Sequence, residues 1–111
     1  MRVPRDAAIP DEKLTEYLLK LRERNDKSQY LEQAGFTAEN PEDLRNAIRQ
    51  HAAMHEAVED GRSAYGIFYR VEGELVGPAG RTLPVITIWL EDYADKQFRF
   101  VTLKPHQEKR E

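Results

Sequence analysis

The sequence predicts an α+β domain in which three N-terminal helices pack on a C-terminal three-stranded antiparallel β-meander. Two observations predict this class. Apolar residues recur every three or four positions as far as residue 58, and from Ser63 onward they recur at every second position. The chain of 111 residues is long enough for one hydrophobic core and too short for two. We therefore predict an N-terminal arm at 1–10, a single domain at 11–105 and a charged tail at 106–111.

Helix signals define the first half of the chain. The first predicted helix, at 11–21, has leucines at three- and four-residue spacing. A second, short helix is predicted at 27–33. The third, at 41–58, begins with Asn40 and Pro41, a capping residue followed by one whose fixed φ suits the first helical turn. The side chains that should face the core are Leu14, Tyr17, Leu18, Leu21, Tyr30, Leu31, Phe36, Leu44, Ala47, Ile48, Ala52 and Val58.

Strand signals define the second half. Alternating apolar and polar residues predict a strand at 63–71, and a β-branched apolar run predicts a central strand at 82–90. A third strand is predicted at 98–104. Turn residues at 77–80 and 93–96 join the three strands into a meander.

Alternation sorts the side chains of this sheet into two faces, because successive residues of a strand point to opposite sides. One face is mainly apolar and should pack against the helices; it carries Ile86, Ile88, Leu90, Val101 and Leu103. The other face mixes aromatic rings, hydroxyls and a cation. It is either a half-exposed sheet surface or a shallow cleft for a flat ligand. Its members are Tyr65, Tyr69, Val85, Thr87, Trp89, Phe98, Phe100, Thr102 and Lys104.

In the cleft hypothesis, a nucleic-acid base stacks on the aromatic rings while a cation holds its phosphate. Lys27 and Ser28, at the start of the second helix, are either a further anion site or an ordinary capping turn. The residues predicted to bind substrate are Lys27, Tyr65, Tyr69, Thr87, Trp89, Phe100 and Thr102. The cations predicted to hold an anion are Arg81, Arg99 and Lys104.

Two histidines four residues apart share one face of the third helix. His51 and His55 are structural residues at the edge of the apolar stripe, an acid or base for proton transfer, or a metal pair. A metal would require a third ligand, and the sequence marks none, so we predict no metal. His51 is the better candidate for catalysis, because histidine titrates near neutral pH.

Composition excludes several classes of protein. The absence of cysteine excludes disulfides, thiolate catalysis and cysteine-ligated zinc, and no cofactor is predicted. No apolar run reaches the ~20 residues that span a bilayer, and the first residues do not resemble a signal peptide. We therefore predict a cytoplasmic protein that does not contact membranes. A net charge of −3 argues against strong nonspecific nucleic-acid binding.

A set of short segments spread over residues 3–105 carries a resemblance. They are Lys13–Leu19, Lys27-Ser28, Gly35-Phe36, Tyr65-Gly66, Tyr69–Gly73, Gly80-Arg81, Thr87–Trp89 and Arg99–Thr102. Together they resemble a bacterial domain family of unknown function, common in cyanobacteria and also found as a C-terminal module of polymorphic toxins. The order of helices and strands is similar to that of small ribonuclease toxins of the RelE, colicin D and EndoU type.

The resemblance implies the toxin of a bacterial toxin–antitoxin pair, acting as a metal-independent ribonuclease. His51 would then take the proton of a ribose 2′-OH, and Arg81, Arg99 or Lys104 would stabilise the phosphorane. The implied partners are a small antitoxin-like protein and RNA. The alternative is a noncatalytic protein-binding or immunity-type module that uses a sheet edge or the aromatic face, a role that suits the acidic helical half.

Overall fold

A computed structural model describes residues 1–18 and 27–106, except for the side chains of 15–17. The described residues form an antiparallel sheet with helical elements packed on one side. Strand order follows chain order, so each strand pairs with the next one in sequence. The elements are a π-helical turn at Lys13–Leu18, helices α1 (Ser28–Glu32) and α2 (Pro41–Met54), and strands β1 (Ala57–Arg62), β2 (Gly66–Val76), β3 (Thr82–Asp92) and β4 (Phe98–Pro105).

The predicted three-stranded meander is wrong, because the sheet has four strands. The additional strand, β1, begins with the last two residues of the predicted third helix, Ala57 and Val58, and continues through 59–62, which were predicted to lie between that helix and the first strand. The helix stops at Met54, and His55 already has an extended backbone, with φ −128° and ψ 150°. Ala57 then pairs with Val71 of β2. Val58 matches the helical spacing by coincidence, because it belongs to a strand and pairs with Arg70 of β2.

The prediction of three N-terminal helices is also wrong. α1 has only five residues and ends before Gly35, whose φ of 98° closes the segment. The first predicted helix appears as the π-helical turn, and its predicted end at Leu21 lies outside the described residues. Only α2 is a helix of several turns in the described parts of the chain. It begins at Pro41 as predicted, although the Asn40 side chain makes no capping hydrogen bond.

The helices pack on the face of the sheet opposite to the predicted one. We call this buried side the inner face, and it carries Tyr69, Val71, Gly73, Leu75, Leu83, Val85, Thr87, Trp89, Phe98, Phe100 and Leu103. The other side, the outer face, carries Phe68, Arg70, Glu72, Ile86, Ile88, Leu90, Arg99, Thr102 and Lys104.

A β-bulge in β4 explains part of this difference. Phe100 pairs with Trp89 but Thr102 pairs with Ile88, so Val101 is an extra residue between them. Phe100 and Leu103 consequently share the inner face, whereas strict alternation separates them. The apolar content of both faces of β3 explains the rest, because alternation alone could not tell which face the helices cover.

The first nine residues run beside α2 from one edge strand to the other. The Met1 carbonyl accepts a hydrogen bond from the Ala57 amide of β1, at 2.7 Å. Ala8 exchanges backbone hydrogen bonds with Phe98 and Phe100 of β4, at 3.0 and 2.8 Å. Buried side chains of this arm join the core, so the arm adds to the packing of the domain; they are Val3, Ala7 and Ile9.

The domain boundaries drawn from the sequence stay a prediction. Of the helices described, none has the length and apolarity needed to cross a bilayer.

Gly77, at the end of β2, lets the sheet approach the segment after α1. A Cβ on Gly77 would clash with the backbone carbonyl oxygen of Ala34. We expect Gly77→Ala to lower the free energy of unfolding by about 2 to 3 kcal/mol, because backbone must move to relieve the clash. Gly61→Ala is the matched control, since its φ is 102° but its Cβ meets open space. It should cost only about 1 kcal/mol of backbone strain. Equal losses in urea denaturation would contradict the close approach.

Candidate functional site

A chain of hydrogen bonds crosses the inner face from β3 to α2 and on to β2. The indole Nε1 of Trp89 donates to Thr87 Oγ1 at 2.9 Å, and Thr87 Oγ1 lies 3.0 Å from His51 Nε2. His51 Nδ1 lies 3.2 Å from the carbonyl oxygen of Glu74. A carbonyl only accepts, so neutral His51 donates from Nδ1 and accepts the Thr87 hydroxyl proton at Nε2. One tautomer thereby satisfies every group in the chain.

Burial determines the charge of His51. The side chain is 2% exposed, and burial lowers the pKa of His51. Its hydrogen bond with Glu74 opposes this shift, whereas the neighbouring His55 adds to it. A lowered pKa keeps the imidazole neutral at pH 7, which is the form the hydrogen-bond chain requires. The catalytic role of His51 stays a prediction, and its position in the core gives it a structural role that needs no substrate.

His55 packs beside His51 at the end of α2. The ring centroids lie 5.4 Å apart with planes tilted by 49°. The His55 ring also lies on Gly73, where a Cβ would come within 2.5 Å of His55 Cδ2. Across residues 1–18 and 27–106 there is no group of three His, Asp or Glu side chains placed to hold a metal ion.

The aromatic and hydroxyl residues predicted to bind a ligand mostly form the core. Thr87, Trp89 and Phe100 are fully buried, and the Trp89 and Phe100 rings pack edge to face at 5.5 Å. Tyr69 is half-buried, and its hydroxyl donates to Glu91 Oε1 at 3.4 Å. Tyr65 is 73% exposed just before β2. The predicted stacking platform is therefore closed by the helical side of the domain.

Three other predicted residues meet at the outer face. Lys27 Nζ, just before α1, donates to Thr102 Oγ1 of β4 at 3.2 Å. Lys104 is exposed on the same face, two residues further along β4. Arg99 lies nearer the start of β4 and pairs with Asp92 at 3.4 Å. Arg81 is exposed on the turn between β2 and β3. The structure thus brings Lys27, Thr102 and Lys104 together and leaves Arg81 apart.

Two residues that sequence reasoning gave no chemical role stand across the sheet from this group. Arg70 Nε donates to Glu72 Oε2 at 2.8 Å, and Arg70 Nη1 lies 3.3 Å from Asp60 Oδ1. The hydrogen bond with Glu72 is the main cause that raises the pKa of Arg70. The sequence did carry a signal for this pair. Arg70 and Glu72 are two residues apart, and in a strand that spacing places a positive and a negative side chain on the same face.

The register places these groups on both sides of an apolar floor. Glu72 of β2 is opposite Ile86 of β3, which is opposite Lys104 of β4. Arg70, Ile88 and Thr102 form the next row. Strands lie about 4.8 Å apart, so β2 and β4 are separated by about 10 Å across β3. We call this group the outer-face site; its residues are Lys27, Arg70, Glu72, Ile86, Ile88, Thr102 and Lys104.

The lowered pKa of His51 makes stability depend on pH. Because the folded chain holds the proton less tightly than the unfolded chain, stability is full above about pH 6.5 and declines as pH falls below it. We expect the free energy of unfolding to fall more steeply between pH 6.5 and 5 in the wild type than in His51→Gln, measured by urea titration. Parallel curves for the two proteins would show that His51 does not titrate differently in the two states.

The Thr87 hydroxyl is the central group of the hydrogen-bond chain. Thr87→Val keeps the shape but leaves the Trp89 N–H and His51 Nε2 without their partner, so we expect a loss of about 1 to 3 kcal/mol. Thr87→Ser retains the hydroxyl and removes one methyl group, at about 1 kcal/mol. Urea denaturation followed by Trp89 fluorescence compares the two. A larger loss in the serine variant would mean that packing outweighs the hydrogen bonds.

A comparison with solved structures finds a similar fold in the contact-dependent growth inhibition toxin–immunity protein complex from Klebsiella pneumoniae 342. The chains are 17% identical, the match covers 90% of this chain and 100% of the other, and the TM-score is 0.65. At this identity the likeness shows a shared fold. A comparison with curated proteins gives no match.

A family profile covers almost the whole chain. The profile described as Domain of unknown function (DUF6883) matches residues 4–107. This match confirms the resemblance to a domain of unknown function, whereas neither finding names a ribonuclease. The chain belongs to the family described as Domain of unknown function (DUF6883).

Proposed function

We propose that this domain is the toxin of a two-protein toxin–antitoxin pair and that it cleaves RNA without a metal ion at the outer-face site. The observation that carries the proposal is the placement of Glu72 and Arg70 across an apolar floor from Lys104 and Thr102. The fold shared with a chain of a toxin–immunity protein complex supports a toxin-related or immunity-related role. The resemblance to small ribonuclease toxins supports RNA as the substrate.

Metal-independent RNA cleavage needs a base and positive charge around one phosphate. In this proposal Glu72 removes the proton from a ribose 2′-OH, and the resulting oxygen attacks the adjacent phosphorus. Arg70 and Lys104 stabilise the charge on the phosphorane oxygens. The P–O5′ bond then breaks, the 5′ oxygen takes a proton from solvent, and a 2′,3′-cyclic phosphate remains. No electron transfer or further reactant is required.

The outer face also offers contacts for the nucleotide itself. Ile86 is half-buried between Glu72 and Lys104, and the Phe68 ring is half-buried further along the face. Aromatic rings of this kind stack on bases with little sequence preference. Because the chain carries a net charge of −3, general attraction to RNA contributes little. Affinity must come from the local cations, including Lys27 beside Thr102.

A noncatalytic protein-binding or immunity-type module is the second candidate. The observation that favours it is a group of exposed apolar side chains where the arm meets β1. Met1, Met54 and Val58 are 49%, 63% and 51% exposed. Exposed apolar groups of this size are typical of surfaces that bind another protein. This candidate requires only that a partner protein binds, whereas the proposed toxin requires both a partner protein and RNA cleavage.

Cleavage of purified RNA in EDTA tests the proposal. We expect the wild type to cut total cellular RNA and to leave 2′,3′-cyclic phosphate ends. Glu72→Gln should reduce the rate about 100-fold or more, because it removes the base while keeping the size of the side chain. Lys104→Met should reduce it about 100-fold through lost stabilisation of the phosphorane. Gel analysis of a single-site RNA gives the rates.

Two matched variants serve as controls. Glu39→Gln changes an exposed carboxylate before α2, and Arg81→Met removes an exposed cation on the β2–β3 turn. Both should cut RNA at the wild-type rate. Loss of cleavage in Arg81→Met would move the site to the turn, and loss in His51→Gln with folding intact would restore His51 as the base. A wild type that leaves RNA uncut overturns the ribonuclease and favours the binding module.

A further inference from the structure

A separate cleft of about 480 Å³ lies between the N-terminal arm and α2. Val3, Pro4 and Arg5 form its arm side. Trp89 of β3 contributes to its wall, on the inner side of the sheet. The cleft therefore shares no residue with the outer-face site. Its volume falls within the range of pockets that enclose small organic ligands.

The arm wall of the cleft is held in place by α2. Nη1 of Arg49 donates to the backbone carbonyls of Arg5 and Ala7, at 2.9 and 2.8 Å. Nη1 of Arg2 donates to the carbonyl of Ala53, one turn further along the helix. These contacts, with the backbone pairing of Ala8 to β4, fix the arm at both ends. The cleft is thus a formed cavity whose walls are set before a ligand enters.

The charged side chains that line the cleft are positive, whereas the protein as a whole carries a negative net charge. Its charged lining residues are Arg5 and Arg49, and no carboxylate occurs among the described residues that line it. Asn46 and Gln50, one helical turn apart on α2, add side-chain amides that can donate hydrogen bonds. In a protein of net charge −3, a mainly apolar cleft with two arginines is complementary to an anion with an apolar body.

We propose that the arm cleft binds a small amphipathic organic anion, with its apolar body along Pro4 and Ala53, above the buried Trp89, and its anionic group toward Arg5 and Arg49. Arg49 has five N–H donors, and the arm carbonyls use those of Nη1. The ligand would bridge the arm and α2 and so stabilise the folded domain in proportion to its occupancy. This proposal is independent of the RNA-cleavage proposal.

Anilinonaphthalene sulfonate is a suitable probe, because it has an apolar aromatic body and one anionic group. Trp89 is the only tryptophan of the chain, so energy transfer from its indole reports binding of the probe to the domain, and the cleft variants below test where it binds. We expect saturable transfer with one probe per protein and a rise in the melting temperature. Neutral phenylnaphthylamine, which lacks the sulfonate, should bind about tenfold more weakly.

Variants of the cleft decide the outcome. Arg5→Gln should weaken the sulfonate probe about tenfold and leave the neutral probe unchanged, because it removes one cation without removing an arm carbonyl. Ala53→Leu should abolish binding of both by filling the cleft. Ala38→Leu, an equal change at an exposed position elsewhere, should change neither. Binding that is insensitive to Ala53→Leu, or equal affinity for both probes, overturns the proposal. RNA cleavage by Arg5→Gln should stay at the wild-type rate.

Discussion

The hydrogen-bond chain from Trp89 through Thr87 and His51 to Glu74 is the constraint on which the rest of the fold depends. It joins three elements that are distant in sequence, and each bond has only one workable direction. A buried indole N–H needs an acceptor, and a buried imidazole needs both a donor and an acceptor. The Thr87 oxygen accepts the hydrogen bond of the indole, and the Thr87 hydroxyl donates to His51 Nε2. The Glu74 carbonyl accepts from His51 Nδ1. The position of α2 over β2 and β3 is therefore fixed by polar geometry as well as by apolar contact.

Packing around this chain determines which side of the sheet is buried. Gly73 leaves room for the His55 ring, and any larger residue there would push the end of α2 away from β2. Trp89 and Phe100 then fill the space beside the polar chain. On the outer face Ile88 and Leu90 are also buried, whereas Glu72 and Lys104 are exposed to solvent.

Local signals in the sequence predicted what local chemistry controls. Pro41 begins α2 as the Asn40-Pro41 pair indicated, and alternation found the three long strands. What failed depends on contacts between distant residues. β1 exists because β2 offers it a partner, and Val101 is an extra residue because β4 must match β3. Neither pairing can be recognised from the spacing of nearby residues. The end of the third helix and the buried face of the sheet were therefore predicted incorrectly.

The same contrast between local signals and contacts of distant residues applies to the candidate site. Sequence reasoning selected polar and aromatic residues, including Lys27, Thr102 and Lys104, but it could not separate the two faces of the sheet. Once the faces are known, Thr87, Trp89 and Phe100 belong to the core, whereas Thr102 and Lys104 lie on the outer face. Arg70 and Glu72 were given no chemical role because an ion pair on a strand is usually only structural. Their significance depends on what stands opposite them two strands away.

The edges of the sheet limit how a partner protein can bind. β4 is covered at Arg99 by the arm through Ala8, and β1 is distorted between Glu59 and Arg62, where the pairing register shifts. Irregular edges with charged side chains oppose the addition of a further strand. The addition of a further strand at either edge is therefore disfavoured. In the proposed function, an inhibitor that contacts Glu72 and Lys104 together binds the outer face, because α2 and the arm cover the inner face. Such a protein would block RNA at the proposed site without a change in the fold, since the hydrogen-bond chain lies on the other side of the same strands.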